Sequence, residues 1–338
     1  MNLIKTGEKY ALIVFPETIV DQNLPSQGQL ADDLWFCRNP PLDLSKTWVK
    51  WIGEVRAEKV RKASLFLISK GPSSDTDTLD AENEYYRRRV GNLYWSLILS
   101  GFIYCYSPPF SIIGAVRTGD LDIVRSVGEF SQPHVLSWMD QDGIGLRRLQ
   151  LATQYAATIP DFQGSDRFDR LSRIMRAFHY GVISHDPSDS LHQFVRCVEG
   201  FVYPDIGRSK RQFKSRTELF LGHGFHELTK ELYDIRSAVE HLHDPVSAIQ
   251  AETERERRVI LLVRSTQTEA LARYCIQRLL ENPTLRTHFE TDGAIRQFWT
   301  INQDERRRLW GNPLDINTIS KIIRLDLISD EDIGLNRS

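Results

Sequence analysis

Arg236 and His241 are the residues whose types and spacing suit chemistry on a charged substrate. Arg presents a planar fork that matches two phosphoryl oxygens, and it stays charged. His titrates near neutrality, so it can accept or release a proton during a reaction. A phosphate-holding cation and a titrating group are what metal-free cleavage of RNA requires. The two residues lie in Glu-Leu-Tyr-Asp-Ile-Arg-Ser-Ala-Val-Glu-His-Leu-His-Asp-Pro, residues 231–245. His243, two residues further on, is a second candidate for the proton transfer.

The element that must position them reads as a helix. Phe225, Leu228, Leu232, Ile235, Val239 and Leu242 recur at alternating spacings of three and four, an apolar seam along one side. Gly222 and Gly224 interrupt the pattern before it, and Asp244-Pro245 stops it, because Pro lacks an amide proton. The spacing predicts a helix from Phe225 to His243. At about 100° per residue, His241 falls about 140° round from Arg236 and His243 almost above it, two turns on. Helix geometry therefore favours His243 as the partner of Arg236 within one chain.

The run Leu-Tyr-Asp-Ile-Arg-Ser, with His after three more residues, resembles the HEPN superfamily. The signature of that superfamily is Arg, four to six residues, then His. Within it, the run is similar to the large HEPN domains of the Apea-like type, whose motif helix also begins Leu-Tyr-Asp-hydrophobic-Arg-Ser. The resemblance covers about residues 165–283. It implies a helical bundle, a homodimer with motif helices facing across a cleft, and a metal-independent endoribonuclease in host defence or stress response, toxin-like in action. It favours His241 over His243 as the base. Active members often carry Asn, Asp or His directly after the motif Arg, where this chain has Ser237. A related toxin class carries Tyr two residues after the His, and His243 stands there instead. Some HEPN domains are inactive, so a non-catalytic module that binds RNA or a protein partner is the alternative, and a purely structural dimerisation domain is a third reading.

Supporting residues precede the motif. Lys210, Arg211 and Lys214 form a basic stretch suited to contacts with an RNA backbone, or to a solvated helix face. Arg216 lies among Phe213, Leu219 and Phe220, where a structural ion pair is expected. Glu199 is its candidate partner, or else orients Arg236. His223, His226, His241 and His243 are crowded, but neither Cys nor carboxylate completes a zinc pattern, so neither metal nor cofactor is expected. The chain has no Gly-rich phosphate loop and no nucleophile elbow.

The wider sequence predicts a mainly α protein: a C-terminal antiparallel helical bundle with an N-terminal α+β domain. Residues 1–157 mix short apolar runs, such as 10–15 and 63–68, with a helix over 80–100 that carries Arg87, Arg88 and Arg89. Gly114 to Val124 reads as a further strand, and Trp48 and Trp51 as core or interface residues. Residues 159–165 read as a linker. The bundle, 165–283, should contain helices over 166–180, from Asp186-Pro187 onward, over 209–221, the motif helix, and a long one from Asp244-Pro245 toward Asn282-Pro283. Residues 284–338, with Arg306, Arg307 and Arg308, read as a helical tail.

With 338 residues and a net charge of −2, any nucleic-acid site must be a local patch rather than a global field. Cys37, Cys105, Cys197 and Cys275 are far apart in sequence, as suits reduced thiols. The first residues lack a secretory core, and the most apolar run, 93–106, is too short to span a bilayer. A cytoplasmic protein is expected, with the N-terminal domain sensing a trigger or binding a regulatory protein.

Overall fold

In a computed structural model the chain is mainly helical, with one antiparallel sheet in its N-terminal part. The structure describes residues 3–78, 80–117, 122–133, 138–139, 143–162 and 166–335. It divides into two compact units, Met1–Val135 with Gln141–Pro160, and Leu136–Asp140 with Asp161–Ser338.

The first unit is built on strands β1 (Glu8–Phe15), β2 (Gln27–Ala31) and β3 (Leu34–Cys37), helices α1 (Lys46–Ile52) and α2 (Glu54–Lys62), strand β4 (Leu65–Pro72), helix α3 (Ala81–Ser100), strands β5 (Phe110–Val116) and β6 (Asp122–Glu129), and helix α4 (Leu146–Thr158). The strand order is β2-β3-β4-β1-β5-β6, and each neighbouring pair is antiparallel. Central β1 is buried from Lys9 onward, which explains its unbroken apolar run. Tyr10, Leu12 and Val14 pack with Trp48, Ile52, Ala57 and Val60. Alternation turns Phe15 the other way, where its ring lies 5.8 Å from Tyr94 of α3.

One expectation needs correction here, and other residues singled out in the sequence can be placed. The strand expected over Gly114–Val124 is instead the end of β5 and the start of β6, with residues 118–121 outside the described set. The hairpin register brings Val116 opposite Asp122. Trp48 is fully buried, but Trp51 stands on the surface. Arg87 pairs with Glu84 at 2.7 Å and Arg88 with the same carboxylate at 3.8 Å, while Arg89 reaches Asp33 at 2.8 Å.

The second unit contains α5 (Asp169–Ile183), α6 (Pro187–Val202), α7 (Ser209–Leu221), α8 (His226–Glu240), α9 (Glu254–Glu281), α10 (Pro283–Thr287), α11 (Asp292–Thr300), α12 (Gln303–Trp310) and α13 (Ile316–Ile322). Local signals set several starts. Asp186 caps α6 by accepting the Ser188 and Asp189 N–H groups, with Pro187 in the first turn. Thr253 and Glu256 form a capping box on α9. Two glycines let α5 and α6 approach closely. A Cβ on Gly181 would meet Phe194, and one on Gly200 would meet Ile174.

The expected linker begins as a 3₁₀ turn, Ile159–Phe162, with Phe162 packed 5.2 Å from the Phe168 ring; residues 163–165 lie outside the described set. The long helix does not start at Asp244-Pro245. Pro245–Ala248 is a 3₁₀ turn, and α9 begins at Glu254. The segment expected as a tail completes the unit's core. Trp310 is fully buried, with its ring 4.4 Å from Phe220 and 6.5 Å from Phe201. Trp138 and Met139 also belong to this unit. Met139 bridges Ile323 antiparallel, and the Arg324 N–H donates to Trp138 O at 2.6 Å.

Candidate functional site

Helix α8 carries the motif and packs against α6 and α7. Leu232 and Ile235 anchor it in the core, and Thr229 is buried beside them. Arg236, next to Ile235, exposes 19% of its side chain and turns toward α6. Its Nη2 lies 3.3 Å from Glu199 of α6 and 3.6 Å from Glu240 on its own helix. Nε of Arg236 is buried without a hydrogen-bond partner. The guanidinium also lies 5.9 Å from the centre of the Tyr233 ring.

The opposing face of α6 supplies His192, Arg196 and Glu199, spaced four and three apart so that they share one stripe. His192 Nε2 lies 2.7 Å from Glu240 Oε2. Four side chains thus form one chain of contacts: His192, Glu240, Arg236, Glu199. The electrostatics follow. Burial raises the Glu199 carboxyl above its ordinary value, with Arg236 opposing and Glu240 reinforcing the rise. Glu240 is held below its ordinary value, first by the hydrogen bond from His192 and then by Arg236.

Helix α8 stops at Glu240, three residues short of the expected His243, and the reason is a left-handed residue. Leu242 has φ 58°. The His243 N–H donates to Ala238 O at 2.9 Å and the Leu242 N–H to Val239 O at 3.1 Å, the paired bonds of a Schellman cap. Leu242 therefore leaves the apolar seam and is 94% exposed. The helical-wheel argument for His243 lapses, since His243 is no longer on the helix. His241, the C-cap, and His243 are both exposed, with ring centres 6.4 Å apart. Ser237 is half-buried, and its carbonyl accepts the His241 N–H at 3.1 Å.

The other candidates are not gathered here. Arg216 does not pair with Glu199. It donates to Val202 O at 2.9 Å and Tyr203 O at 2.6 Å, sealing the end of α6, and stacks 5.0 Å from the Trp299 ring. Lys210, Arg211 and Lys214 line a shallow groove of about 480 Å³ with Ser215 and His226. Lys210 is tied to Asp234 at 2.5 Å. Asp234 precedes Arg236 by two residues, about 200° of helix, so this groove lies round α8 from the Arg236 cluster.

His226 and His223 flank Glu218, at 2.7 and 3.8 Å. Among the described residues, no three His, Cys, Asp or Glu groups converge in a way that could hold a metal ion. All four cysteines are buried, and burial pushes the Cys37 and Cys105 thiols up to about 12, which leaves them poor nucleophiles. Among the described residues, no helix is long and apolar enough to cross a membrane.

His192 and Glu240 escaped sequence reasoning. Both were legible in part. Glu240 is four residues after Arg236, and His192 lies on the polar side of the helix whose apolar side is Leu191, Phe194, Val195 and Val198. Compared with protein-family models, curated proteins and solved structures, the chain matches none.

Proposed function

We propose that the second unit is a HEPN-type bundle and a metal-independent endoribonuclease, with Arg236 and His241 as its chemical groups. One observation carries this reading. Arg236 is fixed between carboxylates of two packed helices, and His241 and His243 stand exposed just beyond the end of the same helix. A fixed guanidinium, with solvent-facing imidazoles just past the end of its helix, suits the division of labour that phosphodiester cleavage needs. His241 takes the proton of a ribose 2′-hydroxyl, whose oxygen attacks the adjacent phosphorus. Arg236 stabilises the charge that gathers on the phosphoryl oxygens. A second imidazole must protonate the leaving 5′-oxygen, and in a two-fold dimer the partner's motif His is one source. The products are a 2′,3′-cyclic phosphate and a 5′-hydroxyl. Lys210, Arg211 and Lys214 hold the RNA backbone along their groove. The N-terminal unit receives a trigger or a regulatory protein, and the setting is host defence in the cytoplasm.

A second reading has its own support. Arg236 Nη2 is already engaged by two carboxylates, as in a module that only binds RNA or a protein. One assay separates the two. Unmodified RNA and RNA with a single 2′-deoxy residue beside the preferred cut are incubated with the protein in EDTA. The nuclease cuts the first and spares that bond in the second, because the nucleophile is the 2′-hydroxyl. His241→Ala should abolish cleavage and His243→Ala should weaken it. Cutting of the deoxy-substituted bond, or cutting only with added divalent metal, would overturn the mechanism. Binding without any cutting would favour the module.

A further inference from the structure

We propose that His192 is a catalytic residue of this reaction, the acid that protonates the leaving 5′-oxygen, and that Glu240 occupies the place of the substrate phosphodiester. The inference rests on the ribonuclease reading above.

An imidazole and a guanidinium from different helices converge on one oxygen. Glu240 Oε2 lies 2.7 Å from His192 Nε2 and 3.6 Å from Arg236 Nη2. Both groups are held in place. His192 exposes only 14% of its side chain and Arg236 only 19%, on helices packed together. The acceptor is not held in the same way. Glu240 is the last residue of α8 and exposes 44% of its side chain, so rotation into solvent needs no repacking. An anion poised between a cation and an imidazole N–H is a stand-in for any oxyanion of similar size. A phosphodiester offers such an oxygen and bonds well to a guanidinium. Glu199 differs from Glu240. It is 14% exposed, lies wholly on α6 and pairs with Arg236, so it remains as the fixed counter-charge when Glu240 leaves.

With a phosphodiester in place of the carboxylate, His192 Nε2–H faces an ester oxygen. The bond from the 2′-oxygen to phosphorus forms as the bond from phosphorus to the 5′-oxygen breaks. His241 takes the 2′-hydroxyl proton, and protonated His192 gives its Nε2 proton to the 5′-oxygen. Both imidazoles then return to their starting states by exchange with water. The charged groups around His192 are Arg196 and Glu199 on its own helix and Arg236 and Glu240 on α8. One chain then carries both proton-transfer groups, and the acid need not come from a second copy.

The test compares RNA with the same RNA carrying sulfur in place of the scissile 5′-oxygen. A thiolate leaves without protonation, so the acid becomes dispensable. With the full chain, His192→Gln should slow cleavage of ordinary RNA by about 10²–10⁴-fold and cleavage of the sulfur-linked RNA by no more than a few-fold. His241→Ala should slow both. Glu240→Gln should lower KM for RNA, because the competing anion is gone. Equal slowing of both substrates by His192→Gln would reduce His192 to a structural role and overturn the inference. So would His192→Gln cleaving ordinary RNA like the wild type, and so would a raised KM in Glu240→Gln. Wild-type protein that cuts neither RNA would sink the ribonuclease reading, and this inference with it.

Discussion

At Glu199, burial works against the charge that pairs with Arg236. Burial is the largest influence on its carboxyl and raises it above the ordinary value; Arg236 offsets this only in part. A carboxyl whose pKa is higher in the folded than in the unfolded chain stabilises the fold fully below the unfolded value, roughly 4.3. That contribution is lost as pH rises through the folded value. At neutral pH the ionised Glu199 therefore disfavours the fold, while its charge fixes Arg236. Glu199→Gln should melt at an equal or higher temperature at neutral pH and lose the fall in stability that accompanies deprotonation. It should also cleave RNA more slowly, because the guanidinium loses its counter-charge. Thermal melts across about pH 4–7, run beside the cleavage assay, check both halves. Loss of stability together with activity would make Glu199 part of the scaffold instead.

At the scale of elements, the ends of α8 show what was legible and what was not. Its start follows two glycines, and α7 begins at Ser209 as read; α3 and α6 begin where Asp80 and Asp186-Pro187 predict, because capping is local chemistry. Its end was misplaced because a Schellman cap normally announces itself with Gly or Asn, and here Leu242 takes the left-handed position. Nothing in the side chain advertises that conformation. The same strained turn projects His241 and His243 into solvent. Leu242 has its side chain in water, so its replacement removes no packing. Leu242→Gly should stabilise the fold by about 1 kcal/mol, since Gly adopts positive φ without the Cβ clash. Denaturant unfolding measures the gain, and an unchanged or lower stability would refute the strain. The opening of α9 was missed for a related reason: Asp244-Pro245 starts a 3₁₀ turn as readily as an α-helix, and the capping box at Thr253 lies further on.

For the whole molecule, the sequence revealed a change from mixed to helical texture near residue 160, and the chain passes from the first compact unit to the second there. It did not reveal that Trp138 and Met139 belong with the later unit, because no local pattern records a pairing across so long a stretch of chain. Trp138 is 2% exposed, and its neighbour Met139 is bridged to Ile323. Trp138→Ala should cost about 3–5 kcal/mol. The loss should appear in hydrogen exchange as weakened protection of Arg324 and its neighbours, whereas weakening confined to the N-terminal sheet would contradict the assignment. The strand order has similar limits: the buried run of β1 was plain, but the short polar edge strand β2 carries no apolar alternation to mark it.

The bridge between Met139 and Ile323 also has a consequence in time. A ribosome releases the chain from its N-terminus, and about 185 residues separate the two partners, which at roughly 5–20 residues per second is a wait of about 10–40 s. Throughout that interval the Trp138 carbonyl lacks the Arg324 N–H that it accepts in the folded chain. Helices α5 to α9, with Arg236 and the histidines, emerge within the same interval. The bridge therefore closes only after the helices that carry the candidate site have been made.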